Sequence, residues 1–111
     1  MRRAGATAAM TLATILSIPT VAAREPTPER AGELVRMVRQ DCGSCHGMRL
    51  TGGLGPALTP QAVAEKPAES LVATILYGRS GTPMPPWRAF VSEDDANWIV
   101  ERLRKGFPDE R

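Results

Sequence analysis

The sequence predicts an all-α domain, and three observations carry that prediction. Apolar residues recur at helical spacing in three stretches, near 28–42, 67–77 and 93–105, and each stretch has start or stop signals at its ends. No β-rich run interrupts them. The chain has 111 residues, room for one domain, and five aromatics, Tyr77, Trp87, Phe90, Trp98 and Phe107, which all lie in the last 35 residues. So short a chain, with no aromatic before Tyr77, needs a disulfide, a metal or a cofactor to complete its core.

The N-terminus shortens the folding unit further. Met1-Arg2-Arg3 is basic, Ala4 to Ile18 is uncharged and apolar, Pro19 breaks the run, and Val21-Ala22-Ala23 supplies the small residues of a cleavage site. Residues 1–23 are therefore expected to be a cleaved signal peptide and 24–111 the exported domain. The 15 residues from Ala4 to Ile18 fall short of the roughly 20 needed to span a bilayer, so no stable membrane anchor is expected after cleavage. Cleavage removes Arg2 and Arg3, and the 14 Lys and Arg then fall by two to match the 12 Asp and Glu. A balanced charge argues against a nucleic-acid partner, which would call for a basic surplus.

In the first helix, Thr27 is a good N-cap, Pro28 suits the first helical position and Glu29 the first turn. Ala31, Leu34, Val35, Val38 and Cys42 form its apolar stripe, so the helix is expected to deliver Cys42 at its C-terminal end. Residues 47–58, with Gly52-Gly53-Leu54-Gly55-Pro56, read as a loop, and Thr59-Pro60-Gln61 as the start of a short helix to Glu65. Pro67 opens a helix with Ala68, Leu71, Val72, Ile75 and Leu76 on one side, ended by Gly78. Ser92-Glu93-Asp94-Asp95 resembles a capping box. The last helix buries Ala96, Ile99, Val100 and Leu103, reaches about Lys105 and stops at Gly106. Arg102, Arg104 and Lys105 suit its C-terminal end and read as a solvated helix end. The first and last helices are expected to pack on each other, with the middle helices and Gly/Pro loops around the missing core element.

Cys42-Gly43-Ser44-Cys45-His46 names that element. C-x-x-C-H is the c-type haem attachment signature. Two thiols one helical turn apart match the two vinyl groups of haem, and the following histidine falls under the iron as proximal ligand. A thioredoxin-like redox motif would need a βαβ context. A zinc site would need a fourth ligand, and His46 is the only histidine. A disulfide between Cys42 and Cys45 closes too small a loop to stabilise much. One covalent haem c, held by Cys42 and Cys45 with His46 on the iron, is the expected cofactor.

The iron then needs a sixth ligand or an open site. With one histidine, bis-histidine ligation is excluded. Met37 lies on the helix leading into the motif, and Met48 is two residues past His46, too close to reach the opposite face. Met84 lies in Gly81-Thr82-Pro83-Met84-Pro85-Pro86-Trp87, where flanking prolines stiffen the backbone. It is the expected distal ligand. Arg79 and Trp87 flank this loop and are candidate donors to the haem propionates.

The order of an N-terminal helix, C-x-x-C-H, a Gly-Pro loop, a Met-Pro loop and a C-terminal helix resembles class I cytochrome c over nearly all of 24–111. That resemblance implies that the carbonyl of Pro56, ten residues after His46, accepts from the ligand histidine's second nitrogen, which fixes its tautomer and raises its basicity. The strings Cys45-His46-Gly47-Met48, Gly52 to Pro60, Ser70 to Leu76, and Gly81-Thr82-Pro83-Met84-Pro85 are similar to the NirC-type periplasmic cytochromes c of denitrifying bacteria. Those proteins are associated with haem-cd nitrite reductase, as electron carriers to it or as redox helpers in maturing its haem d. Related Met-Pro-x-Trp cytochromes occur as oxidase subunits. The broad pattern has a small residue eight before the first cysteine and an aromatic four before it; here Leu34 and Val38 stand there. Arg102 stands where an aromatic is usual, with Trp98 one turn earlier, so the helix contact is expected to be repacked.

The functional expectation is a periplasmic one-electron carrier and not an enzyme. Filled axial positions leave no place for a substrate. The alternatives are an electron-transfer subunit of an oxidase or other periplasmic redox complex, an assembly role in cofactor maturation, and a five-coordinate ligand-binding haem protein. The partners expected are periplasmic redox proteins, among them haem-cd nitrite reductase or its maturation proteins.

Overall fold

A computed structural model describes Gly5, residues 13–17 and residues 24–110. The leader expected over 1–23 lies mostly outside these. Among the described residues the regular structure is all helical: α1 (Pro28–Met37), a π-turn (Val38–Cys42), α2 (Gly43–His46), α3 (Pro60–Val63), α4 (Ala68–Tyr77) and α5 (Glu93–Lys105). None is long and apolar enough to cross a membrane.

The local signals act as their chemistry requires. The Thr27 hydroxyl accepts from the Arg30 N–H with Pro28 at the first helical position, and Thr59 accepts from Ala62 with Pro60 in the same place. The Ser92–Asp95 capping box is complete: Asp95 N–H donates to Ser92 Oγ at 3.0 Å, and Ser92 N–H to Asp95 Oδ2 at 3.1 Å. Two expectations are corrected. The short helix ends at Val63 rather than Glu65. The helix entering the motif does not end at Cys42; it widens into the π-turn, where the Gly43 N–H donates to the Val38 carbonyl five residues back, and the chain stays helical to His46.

One apolar cluster contains Leu34, Val38, Leu50, Val63, Val72, Leu76, Val91, Ala96, Trp98, Ile99, Val100 and Leu103. The backbone of α5 lies against α4 and α3, whereas α1 reaches it mainly through side chains. Arg30 is the chief of these. Its guanidinium donates to Asp95 Oδ2 at 2.8 Å, to the Phe90 carbonyl at 2.7 Å and to Glu33 at 2.9 Å. Burial pushes the Asp95 carboxyl up, but donation from Arg30 and Ser92 outweighs it and holds the group below the usual carboxylate range.

The α1–α5 contact is repacked around Trp98. This ring is 6 % exposed and meets Phe107 edge-on at 6.3 Å. Arg102, expected to be solvated, instead lays its guanidinium over Trp98 at 5.3 Å, and Arg104 donates to the Lys66 carbonyl. Leu34 and Val38 are buried where the broad pattern has a small residue and an aromatic.

Candidate functional site

Between the motif, the loop after it, α4 and the 79–87 loop lies a cavity of about 410 Å³. Cys42, Cys45 and His46 line it from one side, Met84 and Trp87 from the loop, and Val63, Leu71, Ile75, Ile99 and Leu103 supply apolar wall. This is a size and lining suited to a large, mostly apolar ligand.

On the motif side, the 47–58 loop is wound around the end of α2 by its own backbone. Gly52 N–H donates to the His46 carbonyl and Gly55 N–H to the Cys45 carbonyl, each at 2.8 Å, and Leu58 N–H closes the loop on Leu50 at 2.8 Å. The Pro56 carbonyl therefore stands 2.7 Å from His46 Nδ1. That contact directs the ring's other nitrogen away from the loop. Gly55 is required here by space: a Cβ on it would sit 2.8 Å from both Cε1 and Nδ1 of His46. The imidazole thus lies flush against backbone, a feature the sequence reading passed over. The Gly55-Pro56 pair, nine and ten residues after His46, is its only signal in the sequence.

Cys42 and Cys45 form no disulfide with each other. Before haem attachment, burial, and next the Asp41 carboxylate, push the Cys42 thiol up to about 11, so it is a neutral S–H at ordinary pH.

The opposite loop is held differently. Gly78, at φ +71°, ends α4 so tightly that a Cβ would lie 2.7 Å from the Met84 carbonyl. Arg79 N–H donates to that carbonyl at 3.2 Å, Met84 N–H donates to Thr82 Oγ1 at 3.3 Å, and Thr82 Oγ1 donates to the Arg79 carbonyl at 2.7 Å. Trp87 N–H donates to Ile75 and Arg88 N–H to Leu76, which ties the far side of the loop to the end of α4. Met84 is half-buried on the cavity wall. Met37 packs against the core and Met48 is 64 % exposed beside Gly43; neither lines the cavity.

Arg79 and Trp87 line the cavity too, the first exposed and the second half-buried against Phe90. Lys66, not singled out from sequence, lies on the same wall. The donor set therefore fits a haem: two thiols and an imidazole on one side, a thioether on the other, apolar wall between, and cations at the margin.

Comparison with known proteins agrees with this chemistry. The family model described as "Cytochrome C oxidase, cbb3-type, subunit III" matches residues 29–101. A Pseudomonas aeruginosa protein named cytochrome c55X is 56% identical over 98 residues, covering 88% of this chain and 82% of that one. Its Stutzerimonas stutzeri namesake is 50% identical over 99 residues, 89% of this chain and 88% of that one. Among solved structures, one named c-type cytochrome NirC superposes with a TM-score of 0.72 at 62% identity, covering 73% of this chain and 95% of the other. A further structure, the dihydro-heme d1 dehydrogenase NirN in complex with DHE, matches with a TM-score of 0.59 at 31% identity over 67% of this chain, which is 16% of the larger protein.

Proposed function

Because the chain belongs to the family of the NirC-type c-type cytochromes, cytochromes c55X among them, and so carries covalent haem c, we propose that it is a periplasmic one-electron carrier serving the haem-cd nitrite reductase system. The observation that carries this reading is the largely apolar cavity whose lining includes both His46 and Met84. Bound haem supplies a ferric/ferrous couple.

The chain's own residues do the rest. Cys42 and Cys45 would hold the macrocycle, His46 would ligate the iron with Pro56 fixing its tautomer, and Met84 would supply a thioether as the second protein ligand. A thioether favours the ferrous state, and the apolar wall of Leu71, Ile75, Ile99 and Leu103 disfavours the extra ferric charge, so both raise the potential. Arg79 and Trp87 donate to propionates. With His46 and Met84 both ligating, a substrate would have nowhere to bind on the iron, which favours a carrier over an enzyme. The leader that the sequence pattern of residues 1–23 predicts favours the periplasmic assignment. The similarity to a small part of a dihydro-heme d1 dehydrogenase favours exchange with a maturation enzyme as a second reading within the same system.

Stopped-flow mixing tests both. The ferrous protein should be oxidised by haem-cd nitrite reductase, or the ferric protein reduced by the substrate-loaded dehydrogenase. Rates at the level of an unrelated haem protein in both mixtures would overturn the assignment.

A further inference from the structure

Arg39 lies inside the π-turn, three residues before Cys42, and points away from the cavity. Its side chain is 14 % exposed. It donates through Nε to the Pro108 carbonyl at 3.0 Å and through Nη2 to the Phe107 carbonyl at 2.6 Å. The same guanidinium pairs with Asp109 at 3.2 Å and covers the Phe107 ring at 5.6 Å. Next to it, Gln40 donates to Glu110 at 3.0 Å. The segment after α5 is thus fastened to the π-turn by two adjacent side chains.

Core packing accounts for only part of this fastening: Phe107 packs on the core beside Trp98, while the polar contacts lie beyond it. Beneath the segment lies a second cavity, of about 350 Å³, lined by Ala31, Val35, Trp98, Arg102, Pro108 and Asp109 among others. The tail bridges a hollow between α1 and α5, and its polar contacts converge on the π-turn. A π-turn takes one more residue per turn than an α-helix, and that residue turns everything after it by about 100° relative to an uninterrupted helix. The register chosen at 38–42 therefore decides whether Cys42 faces the cavity with Cys45 and His46.

We propose that Arg39 and the C-terminal segment 107–110 form a clamp that holds the π-turn and so positions Cys42 for thioether formation. In that step the Cys42 S–H adds across a vinyl C=C. An S–C bond forms, the vinyl double bond is lost, the thiol hydrogen ends on the neighbouring carbon, and no oxidant or reductant is consumed. Arg39 is a positioning residue; it touches neither the haem nor the thiol. The proposal rests on the assignment of haem to Cys42 and Cys45.

The test is the number of thioethers in holoprotein made in cells. Denatured holoprotein is treated with iodoacetamide and the haem peptide weighed, because a thioether sulfur is protected and a free Cys42 is alkylated. The parent should show both cysteines protected; a parent with free cysteines would overturn the haem assignment itself. Arg39→Ala, and separately a chain ended after Gly106, should leave Cys42 alkylated in most of the recovered haem peptide, with the pyridine haemochrome α band moved to longer wavelength. Arg30→Gln removes an equally connected arginine distant from the π-turn, so it should lower stability and keep both thioethers. Where Arg39→Ala gives no holoprotein, Arg39→Lys keeps the charge opposite Asp109, loses the paired donation to two carbonyls, and is read the same way. Full protection of Cys42 in holoprotein of any of these Arg39 or tail variants, or equal loss in Arg30→Gln, overturns the clamp.

Discussion

The two loops that face each other across the cavity present their side chains by opposite means. The 47–58 loop holds His46 through contact: backbone at van der Waals distance from the ring, one carbonyl at 2.7 Å from Nδ1, and no room for a Cβ at Gly55. The 78–88 loop holds Met84 through its ends, with hydrogen bonds to the end of α4 and prolines stiffening the span, while the thioether itself stays half-buried. Under the proposed ligation, His46 is built into the attachment motif and tolerates no movement. Under the same proposal, Met84, contributed from 38 residues after His46, can be lost while the covalent haem remains. The contrast explains why the first loop is rich in glycine and the second in proline.

The largest effect should come from Gly55→Ala. Its methyl would meet the His46 ring, and overpacking of this kind costs about 3 kcal/mol. Thermal unfolding should show that loss together with a disturbed proximal ligation spectrum. An unaltered spectrum and midpoint would show that the loop yields, and that the two loops are less different than their geometry implies.

Met84→Ala attacks the other side. His46 and both thioethers should keep the haem, while the ferric charge-transfer band disappears, cyanide binds readily and the potential falls, since a harder oxygen ligand favours ferric iron. Losing a half-buried Met anchor should cost about 2 kcal/mol. Met37→Leu and Met48→Leu should change neither band nor potential. Retention of the band in Met84→Ala would reduce the loop to a structural turn.

Asp95→Asn should separate the frame from both loops. The carboxyl is held below its ordinary value in the folded chain. Its stabilisation is therefore complete above the unfolded value of about 3.9 and is lost as pH falls through the folded value. Acid titration of the midpoint temperature should show that limb in the parent and a flatter one in Asp95→Asn. At neutral pH the variant should be about 1–2 kcal/mol less stable, because a neutral amide oxygen replaces the carboxylate that accepts from Arg30 and Ser92. Its absorption spectrum should match the parent's.

The smallest change is a gain. Gly32 lies within α1, and a Cβ there meets nothing within 4 Å. Gly32→Ala should raise stability by about 0.5–1 kcal/mol without touching either loop. A loss on chemical denaturation would mean that the hollow between α1 and α5 closes further than its present shape indicates.

Much of this protein was readable before folding. Thr27-Pro28, Thr59-Pro60, Gly78 and the Ser92–Asp95 box act within four residues of chain, so their geometry follows from local chemistry alone. C-x-x-C-H is equally local, because one helical turn sets the separation of its thiols. Contacts between distant segments were not readable in this way. The sequence stripe runs Leu34, Val38, Cys42 as one helix, and nothing in it marks the π-turn, whose Arg39 donates to a tail some 68 residues further on. Arg102 looked like a solvated helix end until Trp98 came beneath it. The closeness of Gly55 to the imidazole exists only once the loop has wound back. Short-range hydrogen bonding and helix geometry depend on neighbouring residues. Register, ring stacking and cavity shape depend on which distant surfaces meet, and only the folded chain decides that.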